Sequence, residues 1–128
     1  MDKIVLTHNN LSEVYTLKKD EITKINDWLA GIIYYEKYDM IADRTYWKKK
    51  YFILTESTFE LISRHNKKKR RRYKLSNLKV SGLCGDGNLV FFYIYKKNRK
   101  KSLVKLTTPN TDGLMQLYRE LLLNIKYC

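Results

Sequence analysis

The stretch GIIYYEKYDMIADRTYWKKKYFILTESTFEL, residues 31–61, contains two strand-like runs joined by a short loop. Because side chains of a strand alternate between its two faces, the second run places Lys48 and Lys50 on the same face as Phe52. Leu54 follows Phe52 on this face, which is therefore charged at one end and apolar at the other. A barrel with an open mouth explains this polarity, since the apolar residues then lie in the core and the two ammonium groups lie at the rim.

The size of the chain and its cysteines limit the possible folds and locations. With 128 residues, the chain is predicted to form one domain whose core needs no disulfide bonds. Its two cysteines, Cys84 and Cys128, favour a reducing compartment, and we expect a cytoplasmic protein. No apolar run approaches the ~18 residues that span a bilayer, so membrane attachment through this chain is expected to be peripheral.

The net charge of +13 is concentrated in the middle of the chain. Residues 44–105 carry 19 basic and 3 acidic side chains, which gives this block a net charge of +16. Most of the basic residues form three runs, at 48–50, 67–72 and 96–101. One such run is typical of a solvated loop, but three runs on one small domain indicate a polyanionic partner, either anionic lipid or nucleic acid.

The C-terminal region is predicted to be a helix that packs on a core. Its apolar residues follow the spacing of one helical face: Leu114, Leu117, Tyr118, Leu121, Leu122 and Ile125. Pro109 ends the preceding strand, and Thr111 or Asp112 is predicted to cap the start of the helix.

Seven short strands are predicted before this helix, at residues 29–37, 46–54, 58–64, 73–76, 78–83, 89–95 and 102–107. The basic runs at 67–72 and 96–101 are expected to occupy hairpin loops between them. This order predicts a mainly β fold with a C-terminal α-helix: a seven-stranded, strongly bent sheet or partly open barrel, capped by one helix. Residues 28–126 would form this domain.

Residues 1–27 are predicted to be a separate N-terminal extension. Several apolar residues in it fit one helical face: Leu11, Val14, Tyr15, Ile22 and Ile25. We therefore expect a helical extension that covers an exposed edge or an apolar patch of the barrel.

Residues 47–61 and the C-terminal helix resemble a pleckstrin homology (PH) domain, and the resemblance extends over residues 29–125. It implies a bent sheet closed by one helix, and a protein that recognises membranes rather than an enzyme. The tryptophan that is usual in the helix of this family is replaced by Leu117 or Tyr118.

The resemblance also implies a phosphate pocket at the open end of the barrel. In lipid-binding PH domains the first strand contributes a lysine and the second strand a Lys/Arg-x-Arg pair. The matching pair here is Lys48 and Lys50, whereas Tyr35 occupies the first-strand position and Lys37 is expected to substitute from farther out. Leu61 replaces a tyrosine often seen on the third strand. Since ammonium lacks the two-pronged grip of guanidinium, these departures favour a simple phosphate-bearing lipid over one inositol phosphate isomer.

Two loops are expected beside this mouth. The loop after the third strand would add lipid-binding charge through Arg64, Lys67, Lys68, Lys69, Arg70, Arg71 and Arg72. The loop between the first two strands carries Met40 and Ile41, which are predicted to insert into the bilayer interface. The alternative is that Met40 and Ile41 pack against the N-terminal extension, because Asp39 and Asp43 would be repelled by an anionic surface.

The sequence therefore predicts a monomeric, peripheral membrane protein that binds phosphatidic acid or a phosphoinositide and needs no cofactor. The chain is rich in Lys, Asn, Ile and Tyr, a composition typical of an AT-rich genome. In this composition and in its altered inositol motif, the chain also resembles the acylated PH-domain proteins of apicomplexan parasites. Those proteins are associated with phosphatidic acid sensing at secretory organelles.

Other functions have weaker support in the sequence. The two histidines, His8 and His65, lack the spacing of a metal site, and no paired acids or activated nucleophile indicate an enzyme. A nucleic-acid interface would use residues 91–95 followed by Lys96 and Lys97, although the alternating glycines of an RNA-recognition motif are missing. A PH relative that adds a peptide strand to a sheet edge is the third alternative.

Overall fold

The computed structural model of the protein describes residues 22–25, 28–66, 68–87 and 89–127. Within these residues the chain forms strands followed by one helix: β1 (Ile22–Ile25), β2 (Trp28–Asp39), β3 (Arg44–Leu54), β4 (Thr58–Ile62), β5 (Arg70–Lys74), β6 (Leu78–Val80), β7 (Cys84–Asp86), β8 (Leu89–Lys96), β9 (Ser102–Thr107) and α1 (Thr111–Tyr127). A 3-10 turn, Leu75–Asn77, joins β5 to β6. No helix in the described ranges has the length and apolarity needed to cross a membrane.

β2 lies at the centre of one continuous antiparallel sheet. The described strands follow the order β5-β4-β3-β2-β9-β8-β6, with β1 beside β2 and β7 beside β8. One side of β2 pairs with β3 from Leu29 to Asp39. The other side pairs with β1 as far as Gly31, and then with β9 at Tyr34 and Tyr35. β2 therefore joins both halves of the sheet, and the predicted bent sheet capped by one helix is confirmed.

The core lies between the inner face of the sheet and α1. Phe52 and Leu54 of β3 are 0% and 1% exposed, as the alternation along this strand predicts. α1 contributes three fully buried leucines, Leu114, Leu117 and Leu121. Leu122 is 43% exposed, so its predicted place on the buried face is wrong because it lies at the edge of the apolar stripe.

The start of α1 is capped by Asn110. Its Oδ1 accepts a hydrogen bond from the backbone N–H of Gly113 at 3.0 Å, and its carbonyl oxygen accepts one from Leu114 N at 2.9 Å. Thr111 is already the first residue of the helix, so the cap predicted at Thr111 or Asp112 is wrong. Asp112 lies in the first turn, where its negative charge interacts favourably with the helix dipole.

All seven predicted strands are present: the strand at 102–107 has its predicted ends, and the other six have shifted ends. β1 and β7 are additional. The helix predicted over Ile22 and Ile25 is wrong for these two residues, because β1 pairs with the start of β2 instead. The rest of that predicted helix, in residues 1–21, lies outside the described residues. The division into an extension of residues 1–27 and a domain of residues 28–126 stays a prediction.

Residues 70–72 belong to strand β5 and not to a loop as predicted. In the β4–β5 ladder, Arg71 pairs with Leu61 and Arg72 pairs with Glu60. The loop is therefore limited to residues 63–69. Three consecutive arginines carry no alternation of apolar and polar residues, so the sequence pattern gave no sign of this strand.

Replacing Leu117 with Ala is expected to lower the free energy of unfolding by about 2–5 kcal/mol, because it leaves a cavity in the core. Leu123→Ala is the matched control on the same helix, since Leu123 is 50% exposed. The Leu123→Ala replacement should lower the free energy of unfolding by less than about 1 kcal/mol. Urea-induced unfolding followed by circular dichroism measures both variants, and equal losses would contradict the packing of α1.

Candidate functional site

The β2–β3 ladder brings basic side chains to one end of the core. Tyr35 lies opposite Lys48 in the register, and Lys37 lies two residues farther along β2. Because every second residue lies on the inner face, Lys48 and Lys50 continue the face that carries Phe52 in the core.

These side chains line a cavity of about 380 Å³. Its basic lining residues are Lys37, Lys48, Lys50, Lys69, Arg70 and Arg71. Arg71 shares the inner face of the sheet with Leu61, its partner in the β4–β5 ladder. Leu103 and Val104 of β9 form an apolar part of the wall. The sequence analysis missed both, because only the antiparallel pairing of β9 with β2 brings them there.

Apart from Arg70, the basic groups of this cavity are not neutralised by described carboxylates. None of Lys48, Lys50 and Arg71 lies within 4.0 Å of a carboxylate oxygen of the described residues. Glu36 also lines the cavity, but its carboxylate pairs with Lys105 Nζ at 3.3 Å. The cavity therefore retains positive charge that a bound anion can compensate.

Burial and mutual repulsion act on the two lysines of β3. Burial is the main cause that lowers the pKa of Lys50, followed by the charges of Lys48 and Arg71 and then Lys37 and Lys69. Burial also lowers the pKa of Lys48, and the charges of Lys37 and Lys69 lower it further. The charged forms of both lysines are thus destabilised by the fold, and a bound anion would stabilise them.

Tyr35 supports one of these lysines. The Lys50 ammonium lies over the Tyr35 ring, with Nζ 5.3 Å from the ring centroid. Burial raises the pKa of the Tyr35 hydroxyl, so the ring stays neutral at physiological pH. Tyr35, which occupies the position of the first-strand lysine of lipid-binding PH domains, therefore positions Lys50 by a cation–π contact. This contact could have been predicted from the sequence, because Tyr35 and Lys50 occupy diagonal positions on paired strands.

The loop between β4 and β5 is shaped by hydrogen bonds from its own side chains. Ser63 Oγ accepts bonds from the backbone N–H groups of His65 and Asn66, each at 3.3 Å. Asn66 Oδ1 accepts a bond from Lys68 N at 3.1 Å, and the Asn66 carbonyl accepts one from Lys69 N at 2.9 Å. These bonds give the loop a defined shape in which Lys69 borders the cavity.

The other predicted lipid-binding residues of this loop occupy different positions. Arg64 and Lys68 are exposed and are not part of the cavity wall. Lys67 lies outside the described residues. The loop thus brings one of its predicted residues, Lys69, to the cavity and leaves Arg64 and Lys68 beside it.

β5 separates the arginine run between the two faces of the sheet. On the outer face, Arg72 Nε lies 3.2 Å and Arg70 Nη1 lies 3.7 Å from Oε1 of Glu60. Glu60 is only 6% exposed, so these ion pairs compensate a buried carboxylate. Arg70 borders the cavity but its guanidinium interacts with Glu60, and Arg71 is the arginine of this run that shares the inner face.

Met40 and Ile41 form the exposed tip of the turn between β2 and β3. They are 83% and 99% exposed. The alternative that they pack against the N-terminal extension concerns residues that lie mostly outside the described part of the chain, and it stays a prediction. Asp39 Oδ1 accepts hydrogen bonds from the backbone N–H groups of Ile41 and Ala42, at 3.0 and 3.2 Å. The two predicted insertion residues therefore project from a turn that Asp39 holds together.

The carboxylate of Asp43 also has a structural role in this turn. It accepts a hydrogen bond from the Tyr38 hydroxyl. Asp43 adopts a left-handed backbone conformation with φ of 49°, a conformation that Asp tolerates better than most residues. The acidic residues beside the apolar tip thus maintain the turn.

The outer-face aromatic residues Phe91, Tyr93 and Tyr95 lie beneath lysine side chains. Lys105 Nζ lies 4.2 Å from the ring centroid of Phe91 and 5.7 Å from that of Tyr93. Lys79 Nζ lies 5.6 Å from the centroid of Tyr95. Stacking of a nucleic-acid base requires access to a ring face, and the ammonium groups occupy such faces here. This arrangement weakens the nucleic-acid alternative.

Comparison with known proteins identifies the fold class. A structure described as "Crystal structure of Slm1-PH domain in complex with Phosphoserine" matches the chain with a TM-score of 0.51 and 14% sequence identity. The match covers 72% of this chain and 89% of that chain. No protein-family model matches the sequence, and no curated protein matches it. The fold is that of a PH domain, as the sequence resemblance implied.

Replacing Lys50 with Met should raise the free energy of unfolding at pH 7, because it removes a charge whose pKa the fold lowers. Between that lowered pKa and the ordinary value of 10.5, the unfolded chain binds more protons than the folded chain. The destabilising effect of Lys50 is therefore complete below the lowered pKa and disappears as the pH rises through this interval. The advantage of the variant should shrink accordingly towards pH 10.

Urea unfolding of the unmodified protein and of Lys50→Met at pH 7 and pH 9.5 measures this difference. Lys74→Met is the control, because Lys74 is exposed in β5 and does not line the cavity. It should change stability by less than about 0.5 kcal/mol at either pH. A Lys50 variant that is less stable than the unmodified protein at pH 7 would contradict the repulsion inferred for the cavity.

Proposed function

We propose that the protein is a peripheral membrane-binding module that holds the phosphate of an anionic phospholipid in the cavity between β2, β3, β5 and β9. The observation that carries this proposal is the convergence of basic groups there, all of which except Arg70 lack a neutralising carboxylate among the described residues. A phosphate group placed there would offset the burial, and the repulsion from neighbouring cations, that lower the pKa of Lys48 and Lys50. This is a binding role, not a catalytic one.

Phosphatidic acid or a phosphoinositide is the proposed lipid. Lys48 and Lys50 act as point charges, and Arg71 supplies a guanidinium that can bind two phosphate oxygens together. A compact phosphomonoester suits this set, because its second ionisation is favoured beside lysine. The Slm1 PH domain was crystallised with phosphoserine, another phosphomonoester. The resemblance to acylated PH-domain proteins of apicomplexan parasites stays a prediction.

The apolar tip supplies the second part of the proposed mechanism. Met40 and Ile41 are exposed next to the strand ends that carry the basic groups. Burying both side chains in the bilayer interface would contribute roughly 3 kcal/mol at most. Charge attracts the domain to the surface, and the tip then adds apolar contact, so that attachment remains peripheral and reversible.

The double variant Lys48→Ala, Lys50→Ala is expected to lose at least about 30-fold in affinity for anionic vesicles, since each cation near the surface contributes about 1 kcal/mol and the headgroup contacts are also removed. Binding is measured by co-sedimentation with two sets of vesicles, one containing phosphatidic acid and the other a phosphoinositide. The total surface charge is kept equal in the two sets. The control is Lys74→Ala, Arg119→Ala, which removes two exposed charges away from the cavity. If both double variants bind equally well, the cavity is not the lipid site.

Met40→Asp with Ile41→Asp should weaken binding to anionic vesicles clearly more than binding to RNA of comparable charge, because a membrane is the ligand that takes up apolar side chains. Met40→Ser with Ile41→Ser removes the apolar surface without adding charge and separates the two effects. Equal losses on vesicles and RNA, or sequence-dependent RNA binding by the unmodified protein, would favour the nucleic-acid function instead.

A further inference from the structure

The serine at the start of β9 directly follows three basic residues. Arg99, Lys100 and Lys101 precede Ser102, and apolar Leu103 follows it. No other serine or threonine of the chain has three basic residues directly before it. Protein kinases select substrates partly by charge pattern, and a kinase with an acidic substrate groove binds a segment of this kind. Because such a groove reads a linear stretch of chain, consecutive residues are what it requires.

The basic residues before Ser102 lie in an exposed turn. Residues 96–101 are all exposed, and Asn98 closes the turn with a left-handed φ of 66°. None of Arg99, Lys100 and Lys101 lies within 4.0 Å of a carboxylate oxygen of the described residues. An acidic groove would therefore meet cationic groups that no described carboxylate has already engaged.

A β-bulge separates this turn from the rest of the β8–β9 ladder. Ser102 pairs with Tyr95, and Leu103 is the additional residue of the bulge that follows. The turn is closed by the backbone hydrogen bond from Arg99 N to the Lys96 carbonyl at 3.1 Å. Lifting the segment from Arg99 to Ser102 off the sheet breaks this bond and the last ladder pair, and it leaves the ladder beyond the bulge in place.

The hydroxyl of Ser102 has no structural role in the described part of the chain. Ser102 is half-buried, and its Oγ makes no hydrogen bond with another described residue. By contrast, Ser63 Oγ accepts hydrogen bonds from two backbone N–H groups of its loop, and Ser81 Oγ accepts one from Tyr93 N. The Ser102 oxygen is therefore free to react without loss of a hydrogen bond to these residues.

We propose that Ser102 is a phosphorylation site for a protein kinase that prefers basic residues before the target serine. In this reaction Ser102 Oγ attacks the γ-phosphorus of ATP, and the bond from that phosphorus to the bridging oxygen breaks. ADP leaves, and the hydroxyl proton passes to the general base of the kinase. The consequence of the modification rests on the proposed membrane function: phosphorylation weakens lipid binding at the cavity.

The expected effect on lipid binding follows from the position of Ser102. Phosphorylation adds a charge of about −1.5 to −2 at pH 7. Val104, which lines the cavity, lies two residues farther along β9, or roughly 7 Å away. This distance is within the screening length of about 8 Å at physiological salt. The phosphoserine would therefore repel an anionic membrane and offset the attraction of the basic turn, as in an electrostatic switch.

The first measurement is the uptake of phosphate by the unmodified protein, by Ser102→Ala and by the double variant Arg99→Gln, Lys100→Gln. The probes are ATP with the catalytic subunit of cyclic-AMP-dependent protein kinase, and ATP with protein kinase C. Mass spectrometry after digestion at aromatic residues locates the phosphate. We expect phosphate at Ser102 of the unmodified protein, and a rate about 10-fold lower in the glutamine variant. A kinase that prefers acidic residues should leave Ser102 unmodified.

The second measurement is binding to vesicles of phosphatidylcholine and phosphatidic acid. The phosphorylated protein is expected to bind about 10- to 30-fold more weakly than the unmodified protein. Kinase-treated Ser102→Ala should keep its affinity. Ser102→Asp adds one charge and should bind about three- to fivefold more weakly. Its matched control is Ser76→Asp, because Ser76 is exposed and does not line the cavity, and it should change affinity less than about twofold.

Absence of phosphate at Ser102 with both kinases, or equal rates in the unmodified protein and the glutamine variant, would overturn the modification site. Phosphate at Ser102 with unchanged vesicle binding would overturn its control of membrane attachment. If instead Lys48→Ala, Lys50→Ala binds vesicles normally while Ser102 is phosphorylated, the proposed lipid cavity fails and the modification site stands. Thermal unfolding verifies that every variant is folded.

Discussion

The pairing of β2 with β3 is the constraint on which the rest of the structure depends. Eleven consecutive residue pairs, from Leu29 with Leu54 to Asp39 with Arg44, fix which side chains face inward. A shift of one residue would turn Phe52 and Leu54 to the outside and put Tyr51 and Ile53 in their places, with Lys49 in the place of Lys50. The core and the basic cavity are therefore consequences of one register, and neither can be changed without the other.

The inner face of β3 could be predicted because every second residue of a strand lies on the same face. On β3 these residues are Lys48, Lys50, Phe52 and Leu54. The arginines of β5 could not be assigned in the same way. Their faces are set by the partner strand, where Leu61 and buried Glu60 alternate. The parts of the site that were not predicted from the sequence are thus cross-strand contacts: Tyr35 beneath Lys50, and Leu103 in the wall of the cavity.

The distribution of carboxylates explains why a basic cavity persists in a stable fold. On the outer face, Glu60 compensates Arg70 and Arg72, and Glu36 compensates Lys105. The described carboxylates near the apolar tip bind backbone or hydroxyl groups of the turn. These acidic side chains thus stabilise the scaffold, and the inner cations Lys48, Lys50 and Arg71 have no ion-pair partner among the described carboxylates. Fold stability and the proposed phosphate binding are opposed at this cavity, as is common where a function requires uncompensated charge.

The contact between Lys50 and the Tyr35 ring has a consequence for the energetics of ligand capture. A free lysine side chain loses rotamer freedom and part of its hydration shell when it meets an anion. In the folded chain, Lys50 has already lost part of its rotamer freedom, because the Tyr35 ring holds the ammonium in place. It has also lost part of its hydration shell, because burial reduces its access to water. The cavity is thus preorganised for the proposed phosphate ligand: the entropy of fixing Lys50 is borne by folding, and a larger share of each phosphate contact would remain available as affinity.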